Sequence, residues 1–212
     1  MKTVTIPAQE IKIYKLEELS DKAKEKVRES FMQDEIYNEL FAEDTREILK
    51  TDYPDSDLDI QYSLGYRQGD GFNIYGKLGK KDILKIYKES YFKPTEKQVK
   101  TIAFYIDNGM NIELERNNTH YEYSCKFNQL RYIEDETDGI IDNLKDYFHL
   151  RQINGEIIND CLMAVYKHFQ KLDKEFEKEG YEYLYKFSDE RIKEECDANE
   201  WEYTENGELY LY

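Results

Sequence analysis

The chain has 212 residues, of which 40% are hydrophobic and 36% charged, and its formal net charge is −16 at pH 7. A chain of this length and composition buries a sizeable core, which excludes an intrinsically disordered protein. No apolar run approaches the roughly 18 residues that a membrane-spanning helix needs, and the first residues lack the apolar segment of a signal peptide. We therefore expect a cytoplasmic protein.

The first elements alternate between strand and helix patterns. Ile11 and Ile13 alternate with polar neighbours, which predicts a short strand. Ser20 is a suitable N-cap for a helix whose apolar stripe slips in phase further along the chain, so we expect two helices or one helix with a break. This helical region should end before the turn sequence of residues 51–57.

A β-hairpin is predicted next. Apolar and polar residues alternate over residues 58–66 and again over 72–78, and the glycine-rich bend LGYRQGDG lies between them. The following segment, residues 80–92, is compatible with a short helix or with a strand. Thr95 and Gln98 then fit a capping box at the start of a helix, and Gly109 fits its C-terminal cap.

The second half contains a further predicted hairpin, over residues 111–127, and then mainly helices. One helix is expected at about 136–149, and the most regular one covers 155–178 and ends at Gly180. Residues 181–187 are predicted to form a short strand, Ser188 to cap a last helix, and Asn206-Gly207 to form a two-residue hairpin turn.

The predicted fold is therefore α+β, with an antiparallel sheet built from β-hairpins and packed against several helices. We expect a core domain over residues 1–150. Residues 151–212 should form a C-terminal extension of a helix followed by a helix and hairpin, packed on the same core.

The acidic charge forms two blocks. Residues 17–59 contain 15 acidic and 6 basic side chains, and residues 173–212 contain 14 and 5, whereas residues 60–133 carry a net charge of +4. An acidic protein does not attract nucleic-acid phosphates by default, so direct nucleic-acid binding is not expected. Its partners would be basic surfaces, including those of nucleic-acid-binding proteins. The alternative is a solvated surface without a partner.

Cysteine and histidine give little sign of metal or redox chemistry. Cys125, Cys161 and Cys196 are far apart and odd in number, which indicates reduced side chains, with Cys161 in the core. His120, His149 and His168 have no metal-ligand spacing, and the last two lie on predicted helices. No cofactor or metal is expected.

The glycine-rich bend is the first candidate site. It lacks the GxxxxGK[ST] pattern of a phosphate loop, and it joins two strands instead of a strand and a helix. Its glycines are explained by the chain reversal, but Arg67, Gln68 and Asp70 would be held on a rigid exposed tip. A sheet could also bring His120 near Asp70, a pair suited to acid–base chemistry or to holding a metal.

The tyrosines near the end of the chain are the second candidate site. They lie among glutamates and suit either half-buried sheet faces or an interface with an arginine-rich partner, where the carboxylates imitate nucleic-acid phosphates. The residues expected at an interface are Arg67, Gln68 and Asp70 at the bend, and Glu182, Tyr183, Glu194, Glu195, Trp201, Glu202 and Tyr203 near the end of the chain.

Several segments together resemble a family of small phage and prophage accessory proteins. They are the opening IKIYKLEELSDKAKEKVRESF, the QGDG bend with Gly76 five residues after its last glycine, His120-Tyr121, and the closing stretch from Ala198-Asn199 to Leu209-Tyr210. The family is often labelled as the antitoxin of a toxin–antitoxin stability system. The resemblance implies an origin in a mobile element and a location in the host cytoplasm, and it transfers no catalytic residue.

We therefore expect a phage-encoded, non-enzymatic protein of the anti-CRISPR type. It would inhibit a host defence nuclease, such as a CRISPR effector or its guide-RNA complex, by blocking a basic nucleic-acid-binding surface or a conformational step. The alternatives are an antitoxin that masks a toxin, and a nucleotide- or RNA-directed enzyme that uses Asp70 and His120. Exposed edge strands are also compatible with a homodimer.

Overall fold

The computed structural model describes residues 11–32, 35–66, 70–116, 130, 133–146 and 149–211. Within these ranges the chain forms helices and small antiparallel sheets, which confirms the predicted α+β class. The helices are α1 (Asp21–Met32), α2 (Glu35–Asp52), α3 (Lys80–Glu89), α4 (Glu96–Asp107), α5 (Ile133–Asp146), α6 (Gly155–Tyr185) and α7 (Asp189–Ala198). The strands are β1 (Ile13–Tyr14), β2 (Asp57–Ser63), β3 (Gly71–Lys77), β4 (Glu113–Leu114) and β5 (Tyr203–Thr204).

The chain divides into two compact units. Unit 1 consists of Met1–Glu39 together with Glu182–Tyr212, and unit 2 is the continuous stretch Leu40–Tyr181. The expectation of a core domain at 1–150 with an extension at 151–212 concerns a different partition and stays a prediction.

The sheet of unit 2 is built on the predicted hairpin. β2 and β3 pair antiparallel from Asp57↔Lys77 to Ser63↔Gly71, and β4 pairs with the end of β3. Phe72 on β3 packs against Phe41 of α2 and Phe176 of α6, with ring centroids 6.2 and 5.5 Å apart. One face of the hairpin is therefore covered by helices, as alternating apolar residues require.

Unit 1 contains a second, two-stranded sheet between segments that are distant in sequence. β1 pairs antiparallel with β5 through Ile13↔Thr204 and Tyr14↔Tyr203. Thr204 accepts a backbone hydrogen bond from Gly207, whose φ of 80° suits glycine, and donates one to the Glu208 carbonyl oxygen. A turn is therefore present at the predicted place, but its loop has three residues, Glu205, Asn206 and Gly207, instead of the predicted two.

Most predicted helix signals have the expected geometry. The helical region after Ser20 contains two helices, α1 and α2. Thr95 accepts a hydrogen bond from the N–H of Gln98, whose side chain in turn binds the Thr95 N–H, and Gly109 follows α4 with a positive φ of 101°. Ser188 caps α7 by accepting from the Arg191 N–H. Residues 80–89 of the undecided segment form helix α3.

The predicted strand at 181–187 is wrong, because α6 continues to Tyr185. Gly180 does not end this helix. A Cβ at this position would lie 2.4 Å from Leu64 Cδ1 and 2.9 Å from Phe41 Cζ, so the glycine permits a close approach of side chains within unit 2. The alternation of tyrosines in this stretch resembles a strand only because every second residue is aromatic.

One further expectation is corrected, and another falls outside the described ranges. α5 ends at Asp146, so His149, with a φ of 55°, is not on a helix. Of the second predicted hairpin, the structure describes β4, and the return strand with His120 and Cys125 lies outside the described residues.

Cys161 is fully buried, as predicted. None of the described helices combines the length and apolar composition that crossing a bilayer demands.

Candidate protein-interaction surface

Asp70 at the glycine-rich bend is a buried structural residue and not an exposed tip. It is only 7% exposed, and its carboxylate accepts hydrogen bonds from the Ser63 hydroxyl at 2.9 Å, the Gly65 N–H at 2.6 Å and the Tyr181 hydroxyl at 3.0 Å. These contacts join the end of β2 to α6 within unit 2. The prediction that Asp70 is exposed at the tip of the bend, where it could contact a partner, is therefore wrong. Arg67 and Gln68 lie outside the described residues.

The same contacts weaken the enzyme alternative. A carboxylate that already accepts three internal hydrogen bonds has little capacity left to accept a substrate proton. His120, its suggested partner, lies outside the described residues. Within the described ranges, no group of three or more histidine, cysteine, aspartate or glutamate side chains is placed to hold a metal ion.

His168 and Tyr53 form another pair that resembles an acid–base couple. The Tyr53 hydroxyl and His168 Nε2 are 2.6 Å apart in unit 2. Burial lowers the pKa of His168 and raises the pKa of Tyr53 to about 12, so both shifts favour the neutral forms. The two side chains form a partly buried, neutral hydrogen bond, which stabilises the fold.

An aromatic cluster organises unit 1. The ring of Phe31 on α1 lies 6.0 Å from Tyr37, 5.7 Å from Phe187 and 5.7 Å from Trp201, measured between centroids. The pair with Tyr37 is stacked, the pair with Phe187 is tilted and the pair with Trp201 is edge-to-face. Aromatic pairs of these kinds add to the stability given by burial alone. We call Phe31, Tyr37, Phe187 and Trp201 the aromatic cluster.

Arg191 of α7 packs against two rings of the aromatic cluster and against the ring of Tyr183. Its guanidinium carbon lies 4.5 Å from the ring centroid of Phe187, 4.6 Å from that of Tyr183 and 5.3 Å from that of Tyr37. The guanidinium also donates a hydrogen bond to the Tyr183 carbonyl oxygen. Tyr183, predicted at an interface, therefore uses one ring face inside unit 1 for a cation–π contact.

Tyr203, also predicted at an interface, belongs to the core of unit 1. It is 2% exposed, and its hydroxyl lies 3.0 Å from the Cys196 sulfur. Burial raises the pKa of both side chains, so the pair stays neutral. The tyrosine-rich ending thus fits the half-buried sheet at this position, and the prediction for Tyr203 is wrong.

Trp201 borders a groove of about 480 Å³ in unit 1. It follows the end of α7, and its backbone N–H donates to the Cys196 carbonyl oxygen at 2.9 Å. The indole is half-buried and Leu209 is 41% exposed, so the groove presents an apolar surface to solvent. Its other lining residues are Lys26, Ser30, Phe31, Tyr37, Tyr203, Gly207 and Glu208.

An acidic stripe runs along the solvent side of α7. Glu190, Glu194 and Asp197 are exposed and spaced i, i+4 and i+7, opposite the buried Ile192 and Cys196. None of the three forms an ion pair with the part of the chain that the structure describes. We call these three residues the acidic stripe. The helical spacing in the sequence was the signal that points to Glu190 and Asp197, which the sequence-based prediction did not include.

The other predicted acidic residues lie around this stripe. Glu195 is half-buried on the flank of α7, and exposed Glu182 pairs with Lys186 at 3.3 Å. Glu202 is half-buried and lies 3.7 Å from Lys15. Of the predicted set, the structure therefore leaves Glu182 and Glu194 exposed on unit 1, and the half-buried Trp201 lines the groove of the same unit.

Comparisons of the chain with protein-family models, with curated proteins and with solved structures give no match in any of the three.

Proposed function

We propose that this protein is a non-enzymatic binding protein whose unit 1 engages a basic surface of a partner protein. The observation that carries the proposal is the acidic stripe, three exposed carboxylates without ion-pair partners in the described chain, on the helix that leads directly to Trp201 and the apolar groove. Charge supplies orientation and a fast encounter, and the aromatic groove supplies the contact area that charge alone lacks.

An arginine-rich surface is the best chemical complement. Guanidinium groups form two hydrogen bonds with a carboxylate and stack on aromatic rings, so one side chain can use both parts of this surface. Arg191 packed between Tyr183 and Phe187 is an internal example of the same contact. Carboxylates spaced along a helix would occupy the positions that phosphates take on a basic nucleic-acid-binding surface.

We further propose that the partner is a host defence nuclease, such as a CRISPR effector, which would be inhibited when its nucleic-acid channel is covered. This finer proposal rests on the resemblance to phage accessory proteins together with the surface described above. A toxin masked by the same surface is the alternative partner, and identification of the bound protein separates the two.

The test measures inhibition and binding with a panel of purified effector nucleases. A variant without the acidic stripe, Glu190→Gln, Glu194→Gln and Asp197→Asn, should bind at least about 10-fold more weakly and lose inhibition to the same degree. Trp201→Ala should add a loss of about 2 kcal/mol or more if the indole is a contact residue. Binding by the unmodified protein should weaken as salt rises from 0.05 to 0.5 M, about a threefold span in Debye length.

A matched control is available on α5. Asp135, Asp138 and Asp142 are exposed and have similar helical spacing, so neutralising them changes the net charge equally in the other unit. This control should leave binding within about twofold of the unmodified protein. Equal losses in both variants, or binding that salt does not affect, would contradict the proposed surface.

A further inference from the structure

Two adjoining open grooves lie in unit 2, formed by α4, the end of α5 and the segment leading into α6. Their volumes are about 680 and 780 Å³, and they share Lys97, Thr101, Tyr105 and Gln152. This size accommodates a ligand larger than one small ion. We treat the two as one feature, the α4 groove.

The α4 groove is basic in a protein that carries a net charge of −16. Its lining contains Lys97, Lys100, Lys145 and Arg151, all exposed, and Glu96 is the one acidic residue among the described residues that line it. Lys100 lies 4.0 Å from Glu96. The other three cations form no ion pair with residues in the described ranges. The groove therefore has a local excess of positive charge that internal pairs do not cancel.

An exposed aromatic side chain accompanies these cations. Phe104 is 50% exposed and lines the groove, although large apolar side chains on a helix usually face the core. Lys97, Thr101 and Phe104 are spaced i, i+4 and i+7, so they share one face of α4. Cations that follow a phosphate backbone and an aromatic ring that stacks on a base form the usual pattern of single-strand binding.

The floor of the groove is held in place. Tyr105 is 3% exposed, and its hydroxyl accepts a hydrogen bond from the Asn154 N–H at 2.9 Å. Asn154 Oδ1 in turn accepts from the Ile157 N–H at 3.3 Å in the first turn of α6. The side chain of Asn154 thus occupies the Ile157 N–H, and the attraction for a ligand is assigned to the four cations.

We propose that the α4 groove binds single-stranded nucleic acid, with phosphates on the four cations and an unpaired base stacked on Phe104. The net charge of −16 argues against nucleic-acid binding by the protein as a whole. Charges further away than about 8 Å are largely screened at physiological ionic strength, however, so the cations of the groove decide what binds there. The acidic remainder of the surface then limits unspecific binding elsewhere. This site lies in unit 2 and is independent of the function proposed for unit 1.

The test uses fluorescence anisotropy with labelled 12-nucleotide oligo-dT and oligo-U, a DNA duplex of the same length, and inorganic polyphosphate as a competitor. We expect saturable binding of the single strands at 0.1 M salt and at least about 5-fold weaker binding of the duplex, because its bases are not free to stack. The logarithm of the binding constant should fall with the logarithm of salt concentration, with a slope near −0.7 for each phosphate contacted.

Variants locate the binding. Lys97→Gln with Arg151→Gln should weaken binding on the order of 10-fold and reduce the salt slope by about 1.4, since two contacts are removed. Phe104→Ala should weaken single-strand binding by about 5-fold or more and leave the salt slope unchanged. The matched control, Lys174→Gln with Lys178→Gln, removes the same charge from exposed positions on α6 and should stay within about twofold. All of these positions are exposed, and thermal unfolding of each variant checks that the fold is retained.

Four outcomes would overturn the proposal. They are the absence of saturable binding at 0.1 M salt, equal losses in the groove and control variants, an unchanged affinity in Phe104→Ala, and complete competition by polyphosphate at an equal phosphate concentration. The last two would reduce the groove to an unspecific polyanion site. None of them bears on inhibition of a nuclease through unit 1, so the two proposals fail separately.

Discussion

Asp173 is the most unusual side chain of unit 2. It is 3% exposed on α6, and its Oδ1 accepts the Ile74 N–H of β3 at 2.8 Å. Oδ2 has no hydrogen-bond partner among the described residues. Ile74 pairs with Ile60 of β2, and β4 joins β3 only at Gly76 and Lys77. The carboxyl group therefore takes an N–H on the open side of β3 that no neighbouring strand takes in the described structure.

Burial raises the pKa of Asp173 to about 8, from a usual value of 3.8, and the nearby charge of Glu177 adds to this rise. Between these two pH values the unfolded chain is ionised while the folded chain keeps the proton. The folded state then binds more protons, so the free energy of unfolding falls as pH rises from about 4 to 8, by about 1.4 kcal/mol per pH unit from this group. Below pH 4 the carboxyl group is protonated in both states, so its contribution to the free energy of unfolding is fully present.

Asp173→Asn isolates this effect. The amide oxygen can still accept the Ile74 N–H, but the side chain does not ionise. The free energy of unfolding of the variant minus that of the unmodified protein should rise by about 4 kcal/mol between pH 5 and pH 9, most of it below pH 8. Urea unfolding at each pH measures the difference. Asp138→Asn, an exposed change on α5, should differ by less than about 0.5 kcal/mol throughout, and a constant difference for Asp173→Asn would contradict the assigned ionisation.

Single tyrosines explain why the candidate site was predicted only in part. Tyrosine suits interfaces, which predicts Tyr183 and Tyr203 at one, yet the ring of Tyr183 packs on Arg191 and that of Tyr203 is buried beside Cys196. The residue type is the same in a core and at an interface, so the sequence does not distinguish them. Glu194 was correctly expected on the surface, because a carboxylate is rarely buried without a partner.

At the scale of elements, Gly76 shows that a glycine pattern can have a purely structural cause. It has a φ of +125°, and a Cβ there would lie 2.2 Å from the Asp57 carbonyl oxygen and 3.2 Å from Leu58 Cα. Both neighbours are backbone atoms of β2, so they cannot move aside without loss of strand pairing. The spacing of Gly76 from the bend is set by the register of the hairpin.

Gly76→Ala should therefore lower the free energy of unfolding by about 2 to 4 kcal/mol, the sum of an unfavourable φ and a backbone clash. The comparison is Gly139→Ala, on an exposed position of α5 where a Cβ would meet nothing within 4 Å. This change should raise stability by up to about 1 kcal/mol, because alanine favours the helix. Chemical denaturation of both variants checks the signs, and a similar effect at the two glycines would contradict the assignment.

Elements with two local signals were predictable. The β2–β3 hairpin combined alternation with a glycine-rich bend, and α4 combined an apolar stripe with a capping box at Thr95 and Gln98. The end of α6 was not predictable, because Gly180 resembles a helix terminator in sequence. The glycine is instead required by the close approach of Leu64 and Phe41, which are more than 100 residues away in the chain.

Over the whole molecule, the negative charge is unevenly divided. Unit 1 has 19 acidic and 10 basic residues, while the larger unit 2 has 27 and 20. Most ion pairs among the described residues join exposed side chains, such as Lys171 with Glu175 and Lys100 with Glu96. Each such pair contributes little to the free energy of unfolding. Net repulsion among like charges is therefore the dominant long-range electrostatic effect on stability.

Screening should consequently stabilise the protein. Raising NaCl from 0.02 to 0.3 M at pH 7 should increase the melting temperature by a few degrees, because a shorter Debye length weakens repulsion more than it weakens close pairs. Calorimetry measures the change, and KCl should give the same increase if no specific cation is bound. A melting temperature that falls with salt would show that ion pairs outweigh repulsion.

The discontinuity of unit 1 has a consequence for biosynthesis. Unit 2 is continuous, so all of its residues are synthesised before the segment from Glu182. β1 must then wait for β5, its partner across about 190 residues, while unit 2 has every contact of its own available. Because long-range pairing is slow, unit 2 should acquire its structure first during translation, and β1 with α1 should be the last segments to become protected from proteases.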